Sequence, residues 1–349
     1  MDSRNCSLTS KLIRWSLAST GVVLTHKRIW VFLSVVSFHL IRFLHIAEVV
    51  SSLLDGDPRT GFLKSICAEQ VINFLLWWNL FFKKAELLRF VESLVNKINI
   101  NQRKKLTAIV IGSLTFYPFG FTILYMIWFD EKIYDLSQVP PYKRYWIPTD
   151  FRFVSEAIFV IDSVVMHSTF AIFFITMILY CVISALILKL FDESHNEISR
   201  VDASTEWKKC RTVFHAITDL ESKMSFQIFL VFCRIAIQGF IFVLKWNQKS
   251  SIRDYPFLIA NIETLVAFFF IVYLADMIQN HFSKNLDKLY CQKQRLKLLG
   301  ITNFHYNRMI RGSKLTAWKI CLINRNLVFT FAASLLTYSV LIVGEIYRS

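Results

Sequence analysis

The sequence predicts an all-α membrane protein of seven transmembrane helices, with a cytoplasmic N-terminus and an extracellular C-terminus. Three observations carry that prediction. Of the 349 residues, 54% are hydrophobic and 33 are Phe, a composition of the membrane class. The apolar residues come in blocks of about 20 with few charges, the length that crosses a ~30 Å hydrocarbon core. Lys and Arg, finally, concentrate in alternate connections, and that asymmetry sets orientation.

Taken in order, residues 1–28 are polar and basic and lack the short apolar core of a leader segment. The apolar blocks are 29–54, 62–82, 106–129, 153–190, 226–246, 255–276 and 318–347. The fourth is too long for one crossing and is expected to project past the bilayer before the polar "FDESHNEISR". Pro118 and Gly120 break the third near its middle, which kinks the helix and either shapes a cavity or is a tolerated packing bend. Pro140 and Pro141 give the longer outer connection an extended path. In "FSKNLDKLYCQKQRLKLLG", Phe282, Leu286, Leu289, Tyr290, Leu296 and Leu299 recur at roughly helical spacing, and Gly300 is placed to cap the helix. That amphipathic face is read as packing on the inner ends of neighbouring spans rather than lying on the membrane.

With the N-terminus inside, and with Lys64, Lys189, Lys245 and Lys319 at the block ends counted with the adjoining segments, the inner segments hold 27 Lys and Arg, the outer segments 10, and three, Arg42, Arg234 and Arg325, lie deeper in the spans. The formal charge of +15 is thus explained by topology, with no basic domain to bind nucleic acid. Cysteine usage agrees: Cys6, Cys210 and Cys291 fall in inner segments and Cys67, Cys181, Cys233 and Cys321 in spans, so no outer loop offers a disulfide pair. The triplet Asn5-Cys6-Ser7 would carry glycan only if the orientation were inverted.

Soluble catalytic signatures are absent. The sequence has no phosphate-binding Gly-x-x-x-x-Gly-Lys, no Cys-x-x-Cys, no His-Glu-x-x-His and no Gly-x-Ser-x-Gly, so it reads as a non-enzyme that needs no cofactor or metal. His39 and His45, six apart in the first span, lie about 120° apart around a helix, which suits a core or cavity role better than a metal pair.

Ionisable groups within a span cost about 2.5–3.5 kcal/mol at the bilayer centre and therefore face a partner, a cavity or a pore. His39, Arg42, His45 and Glu48 form a slanted stripe on the first span, and Arg325 is expected to snorkel or to pair with Asp276. In the outer halves of spans two to six, Glu69, Asn73, Phe121, Tyr125, Trp128, Glu156, Asp162, Gln238, Phe242, Asn261 and Glu263 have the composition of a small-molecule pocket, apolar and aromatic with a few polar groups. Aromatic anchoring at the bilayer surface is the competing reading for the rings.

The chain ends "LINRNLVFTFAASLLTYSVLIVGEIYRS". A buried ring bonded to a neighbouring helix would account for Tyr338, and a carboxylate reaching outer water for Glu345. The segment also resembles the last helix of arthropod gustatory receptors, whose hallmark is Thr-Tyr, five mostly hydrophobic residues, then Gln and often Phe. Thr337, Tyr338 and the spacer match, while Gly344 stands at the Gln position and Glu345 at the Phe position. Seven spans, the N-inside charge map and the basic inner helix before the last span extend the resemblance to nearly the whole chain.

The resemblance implies a ligand-gated, non-selective cation channel of the plasma membrane. It would be a homotetramer or a mixed tetramer of related subunits embedded in lipid, opened by a small-molecule tastant and passing monovalent and divalent cations. Residues 1–28 would be the cytoplasmic N-terminal segment, 29–277 the ligand-binding bundle, 278–317 a cytoplasmic helical anchor, and 318–349 the pore-lining helix with a short outer tail. By position, Leu341 would gate and Gly344 would lie in or beside the constriction. Tyr338, Leu341 and Glu345 share a helix face by their spacing of three and four, so four copies would set an apolar ring below an acidic one. A family member serving outside taste is the alternative. A G-protein-coupled receptor is disfavoured by orientation and by the missing Asp-Arg-Tyr and Asn-Pro-x-x-Tyr, and a transporter by the lack of inverted repeats.

Overall fold

The computed structural model describes residues 60–98, 171–191, 203–247, 255–291 and 303–346, with individual helical positions between Lys11 and Leu54 and at Ala108. These residues form helices α1 (Thr60–Val95), α2 (Ala171–Phe191), α3 (Ala203–Asn247), α4 (Tyr255–Cys291), α5 (Asn303–Gly312) and α6 (Arg325–Ile346), and an antiparallel hairpin of β1 (Thr316–Ala317) and β2 (Cys321–Leu322). Three of the helices, α2, α3 and α4, contain segments long and apolar enough to cross a membrane.

Helix α3 is the centre of the bundle and touches α1, α4, α5, α6 and β1. Its 45 residues reach about 67 Å at 1.5 Å per residue, roughly twice the hydrocarbon thickness. The helix persists because Gly239 is its one glycine and it has no proline. Val213, Ile217, Leu220, Met224, Ile228, Val231 and Ile235 are all buried, at the three- and four-residue spacing of one helix face. Across it, α1 buries Leu76, Leu80, Leu87, Val91 and Leu94. Helix α2 is covered on almost every side, as expected of a helix apolar all round.

The basic segments of the sequence meet at one end of this bundle. Arg14 pairs with Glu92 of α1 at 3.1 Å, and Ile13 and Leu17 beside it are buried. Lys83 donates from Nζ to the carbonyl oxygens of Ser222 (3.4 Å) and Lys223 (3.3 Å). Helix α4 runs unbroken past residue 277 and buries Phe282, Leu286 and Leu289, so that part of the expected apolar face packs, while Leu296, Leu299 and the Gly300 cap lie outside the described residues. The Tyr306 hydroxyl of α5 donates to Asp287, and that bond, with some burial, pushes the phenol up to about 12. Gly312 lets α5 close on α3, since a Cβ there would lie 2.9 Å from the Phe214 ring.

The last apolar block needs a correction. The sequence reading started a span at residue 318, whereas 316–322 form the hairpin and α6 starts at Arg325. Hydropathy misses this break because Trp318, Ile320, Cys321 and Leu322 are apolar. What makes it is backbone geometry and capping: Trp318 and Lys319 have φ of 50° and 58°, a left-handed conformation incompatible with an α-helix. Asn324 then caps α6, its Oδ1 accepting from Leu327 N at 3.3 Å. The hairpin is docked on α3, where Glu221 accepts from both the amide (2.8 Å) and the hydroxyl of Thr316, and the Trp318 amide donates to Ser225 O at 3.1 Å.

Candidate functional site

Two places bear on function, a polar network inside the bundle and the exposed surface of α6. The first begins with spacing. Glu69 and Asn73 on α1, and Arg234 and Gln238 on α3, are each four apart and share a face, and the antiparallel packing of α1 on α3 brings the faces together. Arg234 approaches Glu69 Oε1 with Nε at 3.0 Å and Nη2 at 2.9 Å. Gln238 Nε2 donates to the same oxygen at 3.3 Å, and Thr264 Oγ1 of α4 donates to Gln238 Oε1 at 3.0 Å. The guanidinium lies over the Phe173 ring of α2, 4.4 Å from its centroid. One fully buried cation thereby ties four helices together, with its charge matched by Glu69.

Asn73 is fully buried one turn from Glu69, and neither its Nδ2 nor its Oδ1 has a hydrogen-bond partner among the described residues. Such an amide is a site where a polar ligand atom or water is expected. Asn261 is also buried and Phe242 half-buried. Glu263 lies in α4 with its side chain outside the described residues, as are Phe121, Tyr125, Trp128, Glu156 and Asp162 altogether. Of the pocket candidates, then, the structure joins Glu69 with Gln238 directly and sets Asn73 beside them. Sequence reasoning counted Arg234 as a span charge and missed it as the hub. The signal was there in a lone arginine four residues before a glutamine within "CRIAIQGF".

His39 fulfils the core role expected of it, stacking on Trp78 at 5.2 Å beside Phe74 (4.9 Å) and Trp77 (5.1 Å). His45, Arg42 and Glu48 lie outside the described residues. No set of His, Cys, Asp and Glu among the described residues could hold a metal ion, and their six cysteines are free thiols.

Helix α6 rests on the bundle through Leu327, Val328 and Phe331, with Leu335 against Gly239. Gly239 permits the contact, since a Cβ there would stand 3.0 Å from Leu335 Cδ2. At its first turn Arg325 Nε donates to Asp276 Oδ2 at 2.7 Å, one of the two arrangements expected from sequence, with the side chain still largely exposed. Most of the other described side chains of the helix are exposed. Within the protomer Tyr338 is 58% exposed and Leu341 59%. Thr330, Ser334, Thr337 and Leu341, spaced four, three and four, make one exposed stripe. Each hydroxyl on it donates to the carbonyl four residues back: Thr330 at 3.0 Å, Ser334 and Thr337 at 2.9 Å. Thr330 and Ser334 were not singled out in the sequence. Gly344 and Glu345 continue α6, with side chains outside the described residues.

Solved structures supply the comparison. The chain superposes on the olfactory receptor OR5 of the insect Machilis hrabei, solved with eugenol, at a TM-score of 0.67 over 96% of this chain and 98% of that one. The fold is that of an insect olfactory receptor. A second OR5 structure gives 0.55 over 95% and 96% of the two chains. Identity is 12% in both. No family model matches the sequence, and no curated protein matches it.

Proposed function

We propose that this chain is a gustatory-type chemoreceptor subunit that forms, as a tetramer, a ligand-gated non-selective cation channel in the plasma membrane, with its N-terminus cytoplasmic. The observation that carries the reading is the exposed stripe of Thr330, Ser334, Thr337 and Leu341 on a helix seated by so little of its surface. Hydroxyls at three of four positions suit a wall that meets water, and Leu341 beyond them suits a gate that closes by dewetting. Glu345, four residues further on, would add an acidic ring that concentrates cations, with Tyr338 and Gly344 completing the constriction.

Support for the ligand site comes from Asn73, Gln238 and Glu69 together in a fold that, in OR5, holds eugenol. A small neutral tastant bound there would open the channel by favouring the open arrangement of the four helices joined at Arg234. Gly344 in place of the motif glutamine favours a second reading, a receptor of the same build serving outside taste.

Particle images of the purified full-length chain, and patch recordings from cells expressing it, test the proposal together. Four copies around an axis lined by α6 are expected. Leu341→Ala should raise leak current and Glu345→Gln should lower divalent permeation. A lone protomer with α6 against lipid, or unaltered currents in both variants, would refute it.

A further inference from the structure

Away from the polar network, α4 and α6 leave between them a groove of about 480 Å³. Phe269, Phe270 and Tyr273 of α4 form one wall, Val328 and Phe329 of α6 the other, and Arg325 stands at one end. The rings are half-exposed or more, Phe329 reaching 73%. In a helix that crosses a membrane, such a groove is covered either by lipid or by a second copy of the chain.

Two features separate these occupants. Helices in lipid approach one another closely through small residues, whereas this groove is walled mainly by four aromatic rings and Val328. The groove flank is bulky and concave, which suits a flexible hydrocarbon chain. Charge is the second feature. Arg325 engages Asp276 through Nε, and its guanidinium carries four further N–H donors. It sits where the apolar run of α6 begins, next to a hairpin with Trp318 and Lys319 exposed, residue types that mark the headgroup level of a bilayer.

We propose that this groove is a binding site for an anionic phospholipid, with an acyl chain along the aromatic walls and a phosphate oxygen on Arg325. The site is separate from the polar network, and the proposal does not depend on conduction or on the identity of any tastant.

The full-length protein in bilayer discs of phosphatidylcholine and phosphatidylglycerol, 3:1 by rough proportion, provides the test. Traces of either lipid carry a photoreactive acyl chain. Phosphatidylglycerol should label the peptides holding Phe269–Tyr273 and Val328–Phe329 about fivefold more than phosphatidylcholine, the effect of one basic side chain near an anionic surface. Arg325→Gln should abolish that preference and leave phosphatidylcholine labelling as it was. Val328→Trp, which fills the groove, should remove labelling by both. Equal labelling of the wild type by the two lipids, or labelling elsewhere only, would overturn the proposal. So would a photoreactive residue at position 329 that joins two copies of the chain rather than lipid.

Discussion

Removing Glu69 should expose how much the bundle depends on its buried ion pair. Glu69→Ala removes the carboxylate that the fully buried Arg234 guanidinium meets at 2.9 Å, and leaves the Gln238 amide without the oxygen it meets at 3.3 Å. Breaking one side of a buried pair costs about 3–5 kcal/mol. The Phe173 ring at 4.4 Å remains beneath the cation in both proteins, so its contribution cancels. Glu69 keeps a side-chain exposure of 14%, which admits some water to the guanidinium and points to the low end, about 3 kcal/mol. Replacing both partners with apolar residues, Glu69→Leu with Arg234→Met, should recover most of the loss and finish within about 1 kcal/mol of wild type. Equilibrium unfolding of the purified chain in mixed micelles titrated with dodecyl sulfate measures both numbers. The reasoning fails if the single variant loses less than about 1 kcal/mol, or if the double variant is no better than the worse single one.

Three further outcomes follow from other contacts. Glu221→Ala removes the acceptor of two Thr316 bonds and should loosen the hairpin by about 2 kcal/mol, seen as faster amide exchange at Thr316 with the α3 amides unchanged. Gly312→Ala puts a methyl 2.9 Å from the Phe214 ring and should cost about 1–3 kcal/mol in unfolding, less whatever helix propensity returns. The Tyr306 phenol, near 10 when unfolded and pushed up to about 12 by its bond to Asp287 when folded, binds its proton more tightly in the native state. Its stabilisation is therefore complete below about pH 10 and lost as pH rises toward 12. Stability measured from pH 9 upward should fall more shallowly in Tyr306→Phe, and parallel curves would show that the bond contributes nothing.

The helices were legible because burial in this protein follows simple periodicity. Phe282, Leu286 and Leu289 announced their packing by spacing alone, and Arg325 announced Asp276 because an intramembrane charge needs a partner. The start of α6 was not legible, since Trp318, Ile320, Cys321, Leu322 and Ile323 are apolar and hydropathy cannot see two left-handed residues and an asparagine cap. The hub at Arg234 was half-visible. Its own helix showed the four-residue spacing to Gln238, but the carboxylate that completes it lies 165 positions away and is brought in by helix packing that no local pattern encodes. Thr330 and Ser334 were passed over because hydroxyls in an apolar helix commonly bond their own backbone, as these do. Only their exposure distinguishes them.

The manner in which α6 is mounted has a mechanical consequence. Its first turn is clamped by the Asn324 cap, by Asp276, and by Gln279, which donates to Ile323 O at 2.8 Å, while the hairpin before it is pinned to Glu221. Beyond that turn the seam narrows to single side chains, the last of them among the described residues being Leu335 against Gly239. A rod of 22 residues, about 33 Å long, fixed at one end behaves as a cantilever. Tilting it by roughly 5° about the clamp carries the far end about 3 Å, so small adjustments at its root become large ones near Leu341.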